Sequence, residues 1–258
     1  MYIKINPNWL SSHTEVDLFS IINSKIIKIN HVGEIESWSL KILKSKEVFI
    51  KQEDWSLFFN SISINSLDLV SLKNKIDLIL INFTHNKNEE SFKIIQTISS
   101  QLNDVLLKKK DILSFDGELQ SKIILRTLLV SKMSHFFPFI RKCLKEEELI
   151  LSSLLCDISQ IQDKNTDFSM HHLKSARIVQ NFVSKDVYLG ILHHHETMGG
   201  QGPFKYDSDR SHIYGQIIHI CDEFIESLKS KKDFESFVSS KHDPEIFLGL
   251  KQTYKNLF

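Results

Sequence analysis

The stretch Ile191–Phe204, ILHHHETMGGQGPF, decides how the chain is read. Three consecutive histidines and Glu196 run into a loop that holds three of the chain's eight glycines, Gly199, Gly200 and Gly202. Seven of the twelve histidines fall between His171 and His219. Any one of them alone reads first as a surface residue. As a set, with the acids around them, they favour a metal ion, because imidazole and carboxylate ligands suit iron, manganese, zinc or nickel. The glycines let the loop turn sharply and let its backbone approach a ligand.

The rest of the chain bounds this expectation. Its 258 residues are 41% hydrophobic, enough for one large domain or two modest ones. Lys plus Arg and Asp plus Glu balance at 32 each, so no global field draws the chain to DNA, RNA or an anionic membrane. The three cysteines, Cys143, Cys156 and Cys221, are widely spaced and form neither a disulfide framework nor a CxxC zinc pair. The start lacks a basic segment followed by an apolar run, and runs such as LILINF are too short to span a bilayer. A cytoplasmic protein without a membrane span is the expectation.

Three regions follow from the patterning. Residues 1–62 read as a small α/β domain: SKIIKINHVGEI gives two short extended runs, and KEVFIKQEDWSLFFN a strand entering a helix. Residues 63–112 read as a helical connecting region, with THNKNEE as its clearest break. Residues 113–258 are helical almost throughout. SKIILRTLLVSKMSHFFPFIRKCL is apolar on more than one face, so it is expected to be buried, with Pro138 interrupting or starting a helix. EEELILSSLLCDISQI reads as a further helix. HLKSARIVQNFV aligns Leu173, Ala176, Val179, Phe182 and Val183 on one stripe. IYGQIIHICDEFIESL aligns Ile217, Cys221, Phe224 and Leu228. The fold class expected is mainly α, with a small α/β N-terminal part. Trp9, Trp38 and Trp55 read as core or interface residues.

Two acids fall in apolar surroundings. Asp157 in LLCDIS and Asp222 in IIHICDEF are costly to bury unless paired, and a metal ion would pair them. His171 opens a helix whose stripe faces a core. On a helix, the adjacent His194 and His195 would diverge by about 100°. They would then serve two neighbouring ions, or one ion and one substrate oxygen.

In order and spacing, residues 113–228 resemble an HD-GYP domain, a helical metal-dependent phosphodiesterase that hydrolyses cyclic di-GMP. That family's pattern is HD-x-GK, HP-x-x-G, HHE-x-x-DG-x-GYP, then an Asp in an apolar helix. Here CDISQ, HHLKSA, HHETMGGQGPF and IIHICDEF stand in those places. The departures are equally specific. Cys156 replaces the first His of the HD pair, Gln160 the lysine, His172 the proline and Gly199 the acid before the glycine loop. The GYP triplet reads Gly202-Pro203-Phe204. Ile123, just before Arg126, takes the place of an upstream metal His, with His135 in the same segment.

The resemblance implies one damaged metal site and one nearly intact site. The intact one comprises Asp157, His171, His194 and His195; the damaged one keeps Asp157 and Asp222. Cys156 stands there as a further ligand if thiolate, or as a small buried hydrophobe if not. One or two divalent ions (Fe, Mn or Zn) follow, with Asp157 as the catalytic bridging ligand. A ligand such as cyclic di-GMP would meet Gly200, Gly202, Phe204, Lys205 and Lys174, with Arg210 a further phosphate contact; the three cations read equally as solvated surface. Three functions stay open: a metal-binding signalling protein with weak or absent phosphodiesterase activity, an active phosphodiesterase, and a metal-free scaffold like the related HDOD domains. The N-terminal part resembles modules that precede bacterial signalling output domains. Protein partners, including GGDEF-type signalling proteins, and a homodimer fit all three.

Overall fold

The computed structural model describes residues 2–5, 7, 10, 13–54, 57–58, 69–108, 119–136, 144–162, 168–229 and 242–257. Trp9, Trp55, Pro138, Cys143 and the region boundaries expected near residues 62 and 112 lie outside them. The chain is mainly α-helical and divides into two compact units, residues 1–76 and 77–258. Among the described residues, no helix is long and apolar enough to cross a membrane.

The first unit is built on β-strands. Strands β1 (Tyr2–Ile5), β3 (Leu18–Ile22), β4 (Lys25–Asn30) and β6 (Val48–Lys51) form an antiparallel sheet in the order β1-β6-β3-β4. Strands β2 (His13–Thr14) and β5 (Gly33–Glu34) pair separately. The β3–β4 hairpin turns at Asn23 and Ser24, both at positive φ (51° and 62°), as a two-residue turn matching the strand twist requires. Ile5, Leu18, Val48 and Ile50 fill the core, and helix α1 (Ser37–Lys44) adds Leu43. Ile21, Ile22, Ile26, Ile27 and Trp38 remain exposed, and Ile21, Ile22 and Trp38 line a groove of about 540 Å³, so Trp38 is not a core residue.

From residue 77 onward the chain is helical: the end of α2 (Leu69–Asn86), then α3 (Glu89–Lys108), α4 (Leu119–Phe136), α5 (Glu146–Leu155), α6 (Ile158–Gln162), α7 (His171–Val179), α8 (Lys185–Leu192), α9 (Ile213–Lys229) and α10 (Pro244–Leu257). The THNKNEE break falls between α2 and α3, where Asn88 Oδ1 accepts the Ser91 N–H at 2.8 Å as a helix cap. Helix α4 is the centre. It touches α3, α5, α9 and α10, and every side chain from Ile123 to Val130 is buried. That is what a helix apolar around its whole circumference predicts.

Three helix ends differ from the sequence-based expectation. EEELILSSLLCDISQI is not one helix: α5 ends at Leu155 and α6 starts at Ile158, so Asp157 sits in the break. Helix α7 stops at Val179, which leaves Phe182 in a turn. Its ring there meets Phe83 (5.1 Å between centroids) and Phe92 (5.5 Å). Helix α8 ends at Leu192, before the histidines.

The aromatic trio gives a test of the core. Phe83 is fully buried against Phe92 and Phe182, and truncation leaves a cavity beside those two rings. Phe83→Ala is expected to cost about 3–5 kcal/mol. Urea unfolding would show this as a lower midpoint with an unchanged slope.

Candidate metal centre

Helix α7 places His171 at its first position, with the side chain 1% exposed. The chain leaves α8 through His193, and the following turn carries His194 and His195 back toward His171. His194 Nδ1 lies 2.7 Å from the Ile191 carbonyl, which can only accept, so Nδ1 carries the proton and Nε2 a lone pair. That Nε2 lies 3.1 Å from His171 Nε2, and His195 Nε2 lies 2.9 Å from the same atom. Asp157 Oδ1 approaches His171 Nε2 at 3.1 Å and His194 Nε2 at 4.0 Å. His194 and His195 therefore do not diverge as they would on a helix. They converge on one point because the turn follows the helix end.

Burial disfavours the charged form of His194 and His195. It pushes His194 down to about 3 and, with the neighbouring histidines, His195 down to about 2. A carboxylate oxygen and a bare imidazole nitrogen thus face the Nε2 atoms of His171 and His195. Metal–nitrogen bonds of about 2.0–2.1 Å place neighbouring ligand atoms roughly 3 Å apart, which is the spacing seen among these nitrogens. His171, His194 and His195 each offer a ligand atom at a spacing that suits one divalent ion, and Asp157 Oδ1 borders the group from the side of His171 and His194.

Asp157's second oxygen faces the other way. Arg126 Nη1 donates to Asp157 Oδ2 at 2.6 Å and to Asp222 Oδ1 and Oδ2 at 3.0 and 3.1 Å. Arg126 Nη2 donates to the Ser153 carbonyl at 2.7 Å, and the side chain is fully buried. Lys122, one turn earlier on α4, adds a contact to Asp222 Oδ2 at 3.3 Å. Burial opposes ionisation of Asp157, yet the Arg126 charge and the His171 hydrogen bond hold its pKa well below the usual carboxylate range. Asp222 does not join the histidines; its oxygens are taken by Arg126 and Lys122. Cys156 donates to the Ser153 carbonyl at 3.5 Å, and burial pushes its thiol up, away from the thiolate a metal would need.

The glycine loop is organised by a residue whose role the sequence did not disclose. The buried Glu196 carboxylate accepts the backbone N–H groups of Phe204 (2.8 Å) and Tyr206 (2.7 Å). A Cβ on Gly202 would lie 2.6 Å from Glu196, so that glycine admits the chain's own glutamate rather than a ligand. Gly200 sits at φ +67°, where a side chain is strained. Phe204 stacks on Tyr206 (5.6 Å, 26°) and meets His172 edge-on at 5.5 Å. His172 is buried, and neither ring nitrogen has a hydrogen-bond partner. Lys174, Lys205 and Arg210 are exposed.

Arg126 should control the acid response of the fold. A depressed Asp157 pKa contributes stability that is complete above the unfolded value of about 3.9 and is lost as pH falls through the folded value. Arg126→Met leaves the buried Asp157 with only His171 and Asp222 with only Lys122, and is expected to cost about 3–5 kcal/mol near pH 7. The gap to wild type should narrow as the medium becomes acid enough to protonate both. Urea unfolding across pH measures this; a gap independent of pH would mean that the carboxylates do not depend on Arg126.

No protein-family profile matches the sequence, and no curated protein matches it. Among solved structures, it is similar to Bd1817, a HDG"Y"P protein from Bdellovibrio bacteriovorus. The TM-score is 0.58 at 16% identity, over 99% of this chain and 100% of that one. The order of motifs read from the sequence and this likeness agree: the chain has an HD-GYP-like fold.

Proposed function

We propose that the protein is a divergent HD-GYP-like cyclic di-GMP signalling protein. In this reading it holds one divalent ion (Fe, Mn or Zn) on Asp157, His171, His194 and His195, with weak or absent phosphodiesterase activity. The observation that carries the proposal is Arg126, seated between Asp157 and Asp222 beside the histidine cluster. A bound metal lowers the pKa of its water and neutralises charge on a phosphoryl group. A guanidinium supplies the positive charge but has no open coordination position and acidifies no water. Asp157 Oδ2 and both oxygens of Asp222 are committed to Arg126, so a second ion would have to displace a cation that is itself buried and paired. Gln160, in place of the family's lysine, supplies no charge.

The loop favours binding without turnover. Phe204 is partly exposed and offers an aromatic surface for a base. Lys174 and Lys205 are exposed and can meet phosphates from solvent, and Glu196 holds the backbone at Phe204 and Tyr206. In the first unit, the exposed isoleucines and Trp38 support a role in protein contacts.

The test compares untagged wild type with His171→Ala. Elemental analysis is expected to show a loss of about one equivalent of metal in the variant, with its secondary structure intact by circular dichroism. Cyclic di-GMP added to wild type should bind calorimetrically and remain uncleaved by chromatography. Equal metal content in the two proteins would remove the metal assignment. Robust turnover would make the protein an enzyme and overturn the reading of Arg126.

A further inference from the structure

A second group of ligating side chains lies apart from the Asp157 centre. His219 and Glu223 stand one turn apart on α9, and His242 lies two residues before α10. His242 Nε2 is 2.8 Å from Glu223 Oε2, His219 Nε2 is 3.5 Å from Glu223 Oε1, and the two imidazole centroids are 5.6 Å apart. One ligand atom from each residue lies within 4.8 Å of the others. His219 is 8% exposed and His242 5%.

The proton inventory of His219 points to an ion. Its Nδ1 lies 3.2 Å from the carbonyl of His194, which only accepts, so Nδ1 carries the proton and Nε2 the lone pair. Nε2 is buried and without a hydrogen-bond partner, while the nearest carboxylate oxygen, Glu223 Oε1, is itself an acceptor. A cation has to join Nε2 to this partly exposed carboxylate, either a proton or a metal ion, and the second imidazole of His242 on the same carboxylate completes a three-ligand set that a metal ion satisfies. The adjoining cavity, lined by Glu196, Met198, Gln216 and Ile246 as well as the two histidines, measures about 10 Å³. That is close to the smallest void that holds a single water, and it excludes an organic ligand.

We propose that His219, Glu223 and His242 bind a divalent transition-metal ion of the zinc class, ligated by two imidazoles and one carboxylate with a further position open to water. The ion ties the segment that enters α10 to α9. Through the His219–His194 hydrogen bond it also braces the turn that carries His194 and His195, as outer hydrogen bonds orient metal-ligating histidines elsewhere. This site does not rest on the proposed function, because none of its ligands belongs to the Asp157 cluster.

The experiment titrates Zn²⁺ into the full-length chain after chelator treatment, in competition with a chromophoric chelator. Wild type, His171→Ala, Glu223→Gln and the double variant are compared. Glu223→Gln keeps the shape of the side chain and a hydrogen-bonding group for His242, and circular dichroism checks its fold; His242→Gln probes the site from the other side. The expected result is the loss of about one zinc equivalent on Glu223→Gln or His242→Gln in both the wild-type and His171→Ala backgrounds. A zinc-dependent rise in melting temperature of His171→Ala should also vanish when Glu223→Gln is added. If His171→Ala binds no zinc, or Glu223→Gln changes neither stoichiometry nor melting, the trio is a metal-free hydrogen-bonded cluster and the proposal falls. If instead His171→Ala keeps the full wild-type stoichiometry, the Asp157 centre fails and this site stands.

Discussion

The carboxylate of Asp157 is shared between a guanidinium and an imidazole, and most of the second unit is arranged around that division. One oxygen meets the Arg126 guanidinium at 2.6 Å and the other meets His171 at 3.1 Å. A carboxylate this deeply buried is tolerated only where opposite charge and hydrogen bonds replace water. Helix α4 has to pass through the middle of the bundle to bring Arg126 there. Helix α5 has to stop at Leu155 so that Asp157 can turn toward both sides, and α9 has to present Asp222 across the core. The break between α5 and α6 is therefore part of the charge arrangement: a continuous helix would commit the Asp157 backbone to the ladder and fix its side chain on one face.

Much of this was legible in the sequence. The histidine–glutamate–glycine stretch, the acids in apolar runs and the order of the four motifs all indicated the fold, because helical periodicity and local motifs are short-range signals. The charge partner of the acids was not recognised, although IILRTLLV places an arginine inside a run of apolar residues. A charge in such a run must find counter-charges, but its partners here are 31 and 96 positions away. No local pattern reports that separation.

Two other features escaped for related reasons. Glu196 looked like part of a ligand motif, whereas its carboxylate closes the loop by accepting N–H groups 8 and 10 residues further on. Gly202 looked like an opening for a ligand, whereas the space it leaves is filled by that glutamate. The convergence of His194 and His195 was likewise hidden, since a helix α8 running three residues further would have sent them apart. Helix ends are set by caps and tertiary contacts that hydrophobic spacing constrains weakly.

Arg126 also sets how the protein responds to its surroundings. A coordinated ion can be stripped by a chelator, exchanged for a competitor or altered by oxygen if it is redox-active. A guanidinium covalently attached to α4 undergoes none of these. The positive charge between Asp157 and Asp222 is thus encoded in the polypeptide, present from synthesis onward and indifferent to metal starvation. Bundle integrity is separated in this way from metal supply: the helices that meet at Arg126 stay neutralised whether or not the histidine side of Asp157 carries an ion.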